Sequence, residues 1–503
     1  MSGKKTGKPI QAPKGTRDLY PEDALRRRYV QQAWRDASIR CGFDEIAGPT
    51  FETSELYAVK SGEGILGELF QAYSGKSPDE VEQVRETGRA PYAMRPEFTP
   101  TLARMYAAKA GSLPRPCKWF TAGPYFRAER PQRGRLREFE QWNVDVLGQW
   151  SEDGTTIAED AEILGCAVTL LGDLGLHSNT VRVLMSNRDV IDSLLQRCGV
   201  SKENVPEALA LLDRRAKMSE PQFVDAASAL GLNLEMFDLG TQGPAAHLRG
   251  DSQSNASVAV EGQGQLDVFE DHGLNYEWFR WDYSIVRGLA YYTGTVFEVI
   301  AEGERAVAGG GRYDNLIELM GGPPTPAVGF AMGDVVLSLL LEDKGLMPEG
   351  ADLLNAVSRP AASVRPDVFV IGADDEATDP LVRRLAADLR RGVESQRWAE
   401  SDDRKPWARE RYESETGGVS PLHARVSYKS TRNLKKLLAD GEKQFARYAA
   451  IVHGEHRVQL RDLDARSELT PNDIPGMDAG IAEFSVDPSH AAYVGRAVAA
   501  LVS

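Results

Sequence analysis

The spacing of hydrophobic and polar positions changes several times along the chain, and each change predicts a different element. Apolar residues recur on one helical face over residues 24–41, and Gly42 fits the end of that helix. The same spacing predicts helices over 100–109 and 159–174, whereas VRVLMSN from Val181 is typical of a strand. Between them, residues 43–57 are extended, and the polar sequence up to Arg89 predicts a loop.

Residues 188–264 have a different character from the sequence on either side. Three helical patterns joined by polar turns occupy this stretch, with no concentration of chemically active residues. We therefore predict a helical insertion that interrupts one domain, with residues 1–187 before it and 265–343 after it.

Strand patterns return over residues 276–301, where alternation and aromatic residues favour an antiparallel pair. A glycine-rich turn at 309–311 then precedes a helical stretch, and residues 331–342 have the apolar content of a buried helix.

Prolines and glycines without periodicity predict a linker over residues 344–366. Strand and helix patterns alternate after it, which indicates a small α/β domain over 367–503. Residues 394–418 are polar and charged and form a predicted exposed insertion in that domain. The whole chain is thus expected to be a mixed α/β (α+β) protein of several domains.

Composition narrows the functional classes. The 503 residues carry a formal net charge of −15, which argues against binding nucleic acid through bulk charge but leaves room for local basic surfaces. The four cysteines are scattered without metal-ligand spacing, so we expect free thiols in a cytoplasmic protein without a metal centre. No signal peptide or membrane-spanning segment is predicted.

The most informative segment is GPYFRAERPQRGRLREFEQWNVDVLG, residues 123–148, in which arginines surround a proline and a glycine. Arginine presents a planar set of donors that matches phosphate oxygens. Two strands joined by this loop would make a nucleotide cradle, and a solvated basic hairpin is the alternative. Its arginines are Arg127, Arg130, Arg133, Arg135 and Arg137.

MRPEFTP places Glu97 and Thr99 at the start of a predicted helix. A carboxylate and a hydroxyl together can hold an ammonium group. The alternative is structural, since Thr99 would also suit a helix cap and Glu97 would suit the positive end of the helix dipole.

Two further segments carry candidate binding residues. RGLAYYTGTVFEV contains Arg287, which could neutralise phosphate charge, and the pair Tyr291 and Tyr292, which face opposite sides if the segment is a strand. AGGGRYDNLIELMGG allows close backbone approach to a ligand but is neither a Walker loop nor a dinucleotide fingerprint.

Together these segments resemble the histidyl-tRNA synthetases, a family of class II aminoacyl-tRNA synthetases. The resemblance runs from PKGTRDLYPED through the region of Pro49, MRPEFT, FRAERPQRGRLREF and RGLAYYTGTVFE to GGGRYDNLIELMGGPPTPAVGFAMG. In the last domain, STRNLKKLLADGEKQFARYAAIVHGE looks like the anticodon-binding domain of that family.

The resemblance implies a class II catalytic domain with a mainly antiparallel sheet and an ATP-dependent ligation of L-histidine to tRNA(His) through a histidyl-adenylate. It also implies Mg²⁺ bound with ATP, without assigning protein ligands to the metal, and a homodimer. Arg127 and Arg287 would be catalytic, with Arg127, Arg135 and Phe139 binding ATP. Histidine would be held by Glu97, Thr99, Gln141, Asp145, Arg287, Tyr291 and Tyr292.

Contacts with tRNA are expected at two places. The loop would contribute Arg130 and Arg133, and a basic stretch of the last domain would contribute Arg432, Lys435 and Lys436. An ordinary solvated helix face is the alternative for the second group.

Three positions depart from the family pattern. Asp145 stands where glutamate is usual, Ala290 stands where aspartate is common, and Val336 replaces an arginine that packs on ATP. The last change keeps two other functions open. One is a histidine-sensing regulatory subunit of ATP phosphoribosyltransferase, which lacks the anticodon domain, and the other is a tRNA sensor without catalysis.

Overall fold

The computed structural model describes most of the chain, and everything below concerns that part. The described residues are 10–61, 69–149, 157–215, 218–241, 269, 272, 274, 276–282, 285, 292–301, 306–359, 361–373, 378–392, 421–429, 431–453, 457–470, 473–474 and 488–502. The predicted insertion 394–418, Arg287, Ala290 and Tyr291 lie outside them.

The described part of the chain contains both strands and helices, together with the short helical turns Lys202–Asn204 and Tyr276–Trp278. The strands are β1 (Asp44–Glu45), β2 (Phe51–Thr53), β3 (Gln71–Ala72), β4 (Tyr92–Met94), β5 (Cys117–Phe126), β6 (Glu138–Leu147), β7 (Val181–Asn187), β8 (Phe279–Trp281), β9 (Thr295–Ala301), β10 (Ala308–Arg312), β11 (Ala327–Gly333), β12 (Val368–Gly372), β13 (Ala424–Val426), β14 (Tyr448–Val452), β15 (Val458–Asp462) and β16 (Ser467–Leu469). The helices are α1 (Pro21–Arg40), α2 (Ser54–Ser61), α3 (Pro78–Thr87), α4 (Thr99–Ala107), α5 (Ile157–Asp173), α6 (Arg188–Arg197), α7 (Val205–Arg214), α8 (Glu220–Ala229), α9 (Leu234–Thr241), α10 (Leu316–Leu319), α11 (Asp334–Asp343), α12 (Gly350–Val357), α13 (Thr378–Arg391), α14 (Leu434–Lys443) and α15 (Pro488–Val502).

An eight-stranded sheet forms the centre of the fold, in the order β1-β5-β6-β11-β10-β9-β7-β8. Within this order, every neighbouring pair between β5 and β7 is antiparallel. The short edge strands are parallel to their neighbours, β1 to β5 and β8 to β7. The prediction of a mixed fold with a mainly antiparallel sheet is therefore confirmed.

The two faces of this sheet pack against different helices. Trp34 of α1, Leu164 of α5 and Leu337 of α11 share one hydrophobic core with Trp142 and Val144 of β6. Side chains of α4 and α10 pack on the opposite face with the aromatic residues of β5 and the β10–β11 connection. That second face leaves room for a cavity, because it is covered by fewer and shorter helices.

The C-terminal sheet has the order β13-β12-β14-β15-β16, with β13, β12 and β14 parallel and the last strands antiparallel. Between β7 and β8 of the central sheet, α6 to α9 enclose a separate core that includes Leu195, Phe223 and Phe237. A third, three-stranded sheet has the order β2-β4-β3.

Long-range pairing overrides several local predictions. The sequence predicted that β8 and β9 pair with each other, but both pair with β7, which lies between them. For β7 the sequence predicted a strand without naming its neighbours. The glycines 309–311 form strand β10 and not a turn, because β9 and β11 bond to it from both sides. The same ladder extends β11 to Gly333, so the helix predicted from 331 begins at Asp334.

Local patterns also missed several helices. The helix α2 begins at Ser54, inside the stretch 43–57 that was predicted as extended. The helix α3 lies in the segment predicted as a loop, and Ser77 caps it by accepting a hydrogen bond from the backbone of Glu80. The helix α12 lies within the predicted linker and packs on α1. Within the described part of the chain, no helix combines the length and apolar content needed to cross a membrane.

A buried charge cluster joins the two large sheets. Lys118 of β5 and Arg390 of α13 both contact Glu162 of α5, with Arg390 Nη1 at 3.1 and 3.2 Å from the two carboxylate oxygens. Tyr428 donates to the same carboxylate at 3.4 Å. Burial opposes ionisation of Glu162, but Arg390 and Lys118 outweigh it and hold the pKa of this carboxyl well below its usual range.

We expect Glu162→Gln to lower the free energy of unfolding by about 3–5 kcal/mol, because it leaves two buried cations without their anion. The matched control is Glu45→Gln, which breaks an exposed pair with Arg35 and should cost about 0–1 kcal/mol. Urea denaturation followed by tryptophan fluorescence measures both. Because the folded-state pKa of Glu162 is depressed, the difference from wild type should shrink as pH falls below about 4.3. A difference independent of pH in that range would contradict the charge assignment.

Candidate active site

Alternation along β6 places one row of polar and aromatic side chains on the less covered face of the sheet. Phe139, Gln141, Asn143 and Asp145 point to this face, and Trp142 and Val144 between them point to the apolar core. Because β6 lies between β5 and β11, this row runs through the middle of the sheet.

A cavity of about 510 Å³ opens in front of this row. Its wall combines strands β6, β9, β10 and β11 with the loop between β5 and β6 and the starts of α4 and α11. The described lining residues are Glu97, Thr99, Arg127, Gly134, Arg135, Leu136, Phe139, Gln141, Asn143, Tyr292, Glu298, Ala306, Val307, Ala308, Gly309, Tyr313, Gly329, Phe330, Ala331, Gly333, Val335 and Val336.

Hydrogen bonds fix the polar side chains at one end of the cavity. Gln141 Nε2 donates to Asn143 Oδ1 at 2.8 Å, and Asn143 Nδ2 donates to the hydroxyl of Tyr125 at 3.0 Å. Tyr313 donates its hydroxyl proton to Asp145 Oδ1 at 2.5 Å. Burial, together with the charge of Asp145, raises the pKa of the Tyr313 phenol well above its ordinary value. The phenol therefore stays protonated and remains a donor at neutral pH.

Asp145 is buried behind the cavity wall and reaches it through Tyr313. The expectation that Asp145 helps to bind a ligand stays a prediction. Tyr292 does line the cavity, with its ring close to Gly311, where a Cβ would come within 3.1 Å of two ring carbons. This end of the cavity therefore presents two phenols, Tyr292 and Tyr313.

The carboxylate of Asp145 fits only because the neighbouring strand has a glycine opposite to it. Gly329 of β11 pairs with Asp145 in the sheet register, and a Cβ at Gly329 would lie 1.9 Å from Asp145 Oδ1. Any side chain at Gly329 would thus displace the carboxylate and the Tyr313 hydroxyl bonded to it.

The start of α4 brings Glu97 and Thr99 to the cavity together. The capping alternative for Thr99 is wrong: Phe98 is the residue preceding the helix, and the helix has no side-chain cap. Thr99 instead belongs to the first turn and its side of the helix contributes to the wall.

The loop between β5 and β6 supplies the basic end of the cavity, where Arg127, Arg135 and Phe139 line the wall. Arg127 Nε donates to the backbone oxygen of Pro96 at 3.1 Å, and its guanidinium lies 5.1 Å from the centre of the Phe139 ring. Arg135 pairs with Glu129 at 3.0 Å. Both arginines are thus held by protein contacts and still line the cavity. This arrangement favours the phosphate-cradle interpretation over a freely solvated basic hairpin.

The residues predicted to contact tRNA lie apart from the cavity wall. Arg130 and Arg133 are exposed on the loop, and Arg133 pairs with Asp343 at 2.9 Å. In the C-terminal unit, Arg432 binds both oxygens of Asp379, at 2.5 and 2.7 Å. The other two, Lys435 and Lys436, are exposed in the first turn of α14.

The start of α11 contributes Val335 and Val336 to the wall. Among the described lining residues, the arginines are Arg127 and Arg135, so α11 adds no cation there. Arg287 and Tyr291, the remaining predicted site residues, fall outside the described part of the chain.

Three polar lining residues were missed by the sequence reasoning. Asn143 follows from strand alternation between Gln141 and Asp145, which was available from the sequence. Tyr313 directly follows the glycine strand β10, and Glu298 lies on β9. Those two positions become visible only when β9, β10 and β11 are known to lie side by side.

A mainly antiparallel sheet with an arginine-bearing loop between two central strands, and a glycine-containing strand running into a helix, defines the catalytic fold of class II aminoacyl-tRNA synthetases. Comparison with known proteins agrees with this. The family model for histidyl-tRNA synthetase matches residues 15–334. A histidine–tRNA ligase of Haloarcula marismortui is 38% identical over 388 residues, which is 75% of this chain and 82% of that protein.

Two solved structures share the fold at 19% sequence identity. The histidyl-tRNA synthetase of Nostoc sp. PCC 7120 has a TM-score of 0.51, covering 92% of this chain and 96% of its own. A protein of Bacillus halodurans described as an ATP phosphoribosyltransferase regulatory subunit/histidyl-tRNA synthetase has a TM-score of 0.53, covering 86% and 97%. This chain belongs to the histidyl-tRNA synthetase family.

We expect Gly329→Ala to weaken histidine binding and to lower stability by about 1–3 kcal/mol, because the added methyl group displaces Asp145 and Tyr313. The matched control is Gly333→Ala on the same strand and the same cavity wall. There, the described structure places no heavy atom within 4 Å of an added Cβ, and the backbone is extended at φ −91°. Histidine titration calorimetry and thermal melting distinguish the two variants. Equal effects of both substitutions would contradict the close-approach argument.

Proposed function

We propose that this cavity activates L-histidine with ATP and that the enzyme then transfers the histidyl group to tRNA(His). The observation that carries the proposal is the convergence of independent sequence segments on one cavity. Glu97 and Thr99 come from the start of α4, Arg127 and Arg135 from the loop, Gln141 from β6 and Tyr292 from the start of the segment before β9. The reaction is that of a histidine–tRNA ligase, the name given to the related protein of Haloarcula marismortui.

In the first half-reaction, a carboxylate oxygen of histidine attacks the α-phosphorus of ATP. The bond from that phosphorus to the bridging oxygen breaks, so histidyl-adenylate forms and pyrophosphate leaves with its electron pair. Negative charge builds up around the α-phosphate, and fixed cations stabilise it in a site with little water. Arg127 and Arg287 would serve this role, with Arg135 on the outer phosphates and Phe139 stacking on adenine.

The histidine end of the cavity would hold the ammonium group through Glu97, Thr99 and Gln141. The imidazole would lie against Tyr292 and Tyr313, with Asp145 acting through the Tyr313 hydroxyl and Tyr291 nearby. A site that pairs both ring nitrogens leaves buried polar groups unsatisfied when another amino acid enters, which supports strong discrimination.

Mg²⁺ would accompany ATP, and the cavity wall offers a carboxylate that suits it. Glu298 on β9 is partly buried and lines the cavity. Mg²⁺ is commonly held by one or two carboxylates together with substrate phosphates and waters. Bound in that way, the ion would neutralise phosphate charge.

We extend the proposal to the domain organisation. Residues 1–187 and 265–343 would form the catalytic domain, interrupted by the helical insertion 188–264 and joined through 344–366 to an anticodon-binding domain, 367–503. The exposed lysines of α14 and the loop residues Arg130 and Arg133 suit contacts with RNA phosphates. Arg432 is less suited, since Asp379 already occupies its guanidinium.

Two further expectations belong to the proposal. A homodimer through the region of Pro49 is supported by Phe51 of β2, which is 55% exposed although it is a large apolar residue. A cytoplasmic location is supported by the four cysteines, which are all buried and form no disulfide.

The regulatory-subunit and tRNA-sensor alternatives are not better supported. The structural relative whose description includes a regulatory subunit is only 19% identical, so it informs the fold alone. Val336 is the observation in favour of lost catalysis, but the arginines of the loop still line the cavity.

Charging of tRNA(His) with labelled histidine tests the proposal. Arg127→Ala should lower the rate of adenylate formation by about 100- to 1,000-fold, the effect of removing one fixed electrostatic stabiliser. Single-turnover formation of adenylate measures this step. Arg182→Ala, which removes an exposed arginine from β7 of the same sheet, is the matched control and should keep the wild-type rate. Wild-type rates in Arg127→Ala, or no charging by the wild type, would reject the proposal.

Replacing Lys435 and Lys436 by alanine should weaken tRNA binding about tenfold and lower the salt dependence of binding, while adenylate formation stays unchanged. The double variant Lys76→Ala/Lys109→Ala removes the same charge from exposed positions elsewhere and serves as the control. Filter binding at several salt concentrations gives both quantities. Equal weakening by the two double variants would indicate a bulk charge effect and not a tRNA site on α14.

A further inference from the structure

The segment 13–17, which precedes α1, lies against the loop 127–137 at one side of the cavity. Gly15 accepts a hydrogen bond from the backbone of Arg137 at 2.7 Å. A Cβ at Gly15 would meet Pro131 Cγ at 2.6 Å and Arg137 Cγ at 2.9 Å, and the backbone there has φ +90°. The contact between this segment and the loop is therefore so close that it needs a glycine.

Arg137 connects this contact to the cavity. Its Nε donates to the backbone oxygen of Glu129 at 3.1 Å, and its backbone oxygen accepts from Arg127 at 2.9 Å. Glu129 in turn pairs with Arg135. The backbone of Gly15 thus supports the residue that holds the two ends of the loop together, and the loop carries both arginines of the cavity wall.

Two residues further on, Arg17 reaches the start of α11. Its Nη2 lies 2.6 Å from Asp334 Oδ2, and Asp334 Oδ1 accepts the backbone N–H of Glu140 at 2.9 Å. Asp334 is 2% exposed, so without Arg17 it would be a buried carboxylate close to a second one, Glu140.

The position of this ion pair relates it to the nucleotide end of the cavity. Asp334 lies between Gly333 and Val335, and Glu140 lies between Phe139 and Gln141; all four of these flanking residues line the cavity. The ion pair is therefore one layer behind the wall, at the junction of β6 with α11. It also balances a negative charge that would otherwise oppose a triphosphate.

We propose that Arg17 is a positioning residue for ATP: the segment 13–17 holds the loop 127–137 through Gly15 and holds the start of α11 through the Arg17–Asp334 ion pair. Arg17 acts through Asp334 and Arg137 acts through the loop, so neither needs to contact the nucleotide. This inference rests on the proposed function, because it assigns the basic end of the cavity to ATP.

The test compares Arg17→Ala, Arg17→Lys and Asp334→Asn in histidine-dependent ATP–pyrophosphate exchange, with KM measured separately for ATP and for histidine. Arg17→Ala should raise the KM for ATP about 10- to 100-fold, the range expected for losing a charge-assisted hydrogen bond to a buried carboxylate. The KM for histidine should change less than about threefold. Arg17→Lys keeps one charge and should recover most of the ATP affinity. Arg35→Ala, which removes an arginine from an exposed pair on α1, is the matched control and should leave both KM values unchanged.

The double variant Arg17→Ala/Asp334→Asn shows whether the two residues act as one unit. If Arg17 acts through Asp334, the double variant should bind ATP no more weakly than Arg17→Ala alone. Multiplied effects of the two substitutions would overturn the inference. So would an equal rise in both KM values, or a loss of thermal stability with an unchanged KM for ATP, since either would make Arg17 a general structural residue.

Isothermal titration of ATP into wild type and Arg17→Ala separates this inference from the proposed function. Absence of histidine-dependent exchange in the wild type would reject the proposed function, and ATP titration would still test the role of Arg17. Weaker ATP binding by Arg17→Ala supports the inference, and identical binding overturns it. Should Arg17→Ala fail to fold, Asp334→Asn is nearly isosteric, keeps the acceptor for Glu140 and gives the same test.

Discussion

The whole site depends on the alternation of side chains along β6, held in register between β5 and β11. That register sends Phe139, Gln141, Asn143 and Asp145 to the cavity side and the residues between them into the apolar core. A slip by one residue would exchange the two sets, so packing of the core and chemistry of the cavity are specified by the same pairing. The glycine of β11 opposite Asp145 is the most exacting part of this arrangement, because a Cβ at Gly329 would lie 1.9 Å from Asp145 Oδ1.

The cavity has two ends of different character, and the fold explains both. At the proposed histidine end, strand β6 delivers Gln141, Asn143 and Asp145, and a ladder of backbone hydrogen bonds on each side of the strand limits their movement. The proposed nucleotide end depends on the loop 127–137, where the described backbone pairing is one isolated bridge, between Gln132 and Arg135. Its contacts with Gly15, Glu129 and Pro96 replace the missing support. The segment 13–17 therefore supports the cavity wall, although none of its residues is among the described lining residues.

Sequence reasoning succeeded where a local pattern carries the information. The helical spacing of 24–41 corresponds to α1, and the class of fold followed from motifs that lie within single segments. It failed where distant segments decide the outcome. The strands β8 and β9 pair with β7 and not with each other. At Gly309 the chain forms a strand and not a turn, because β9 and β11 bond to it from both sides. Tyr313 was missed for the same reason, since its role depends on a hydrogen bond to Asp145, 168 positions away. The Arg17–Asp334 ion pair spans 317 positions, beyond the reach of any local pattern.

The central claim is that one cavity binds histidine and ATP and joins them despite the valine at the start of α11. Histidine-dependent ATP–pyrophosphate exchange by the purified, unmodified protein tests it most directly, with the other amino acids as controls. We predict exchange with histidine and with none of the other amino acids, because the two phenols and the Gln141–Asn143 pair are arranged for a ligand with several polar groups. Folded protein that binds tRNA but exchanges no pyrophosphate with histidine would contradict the account.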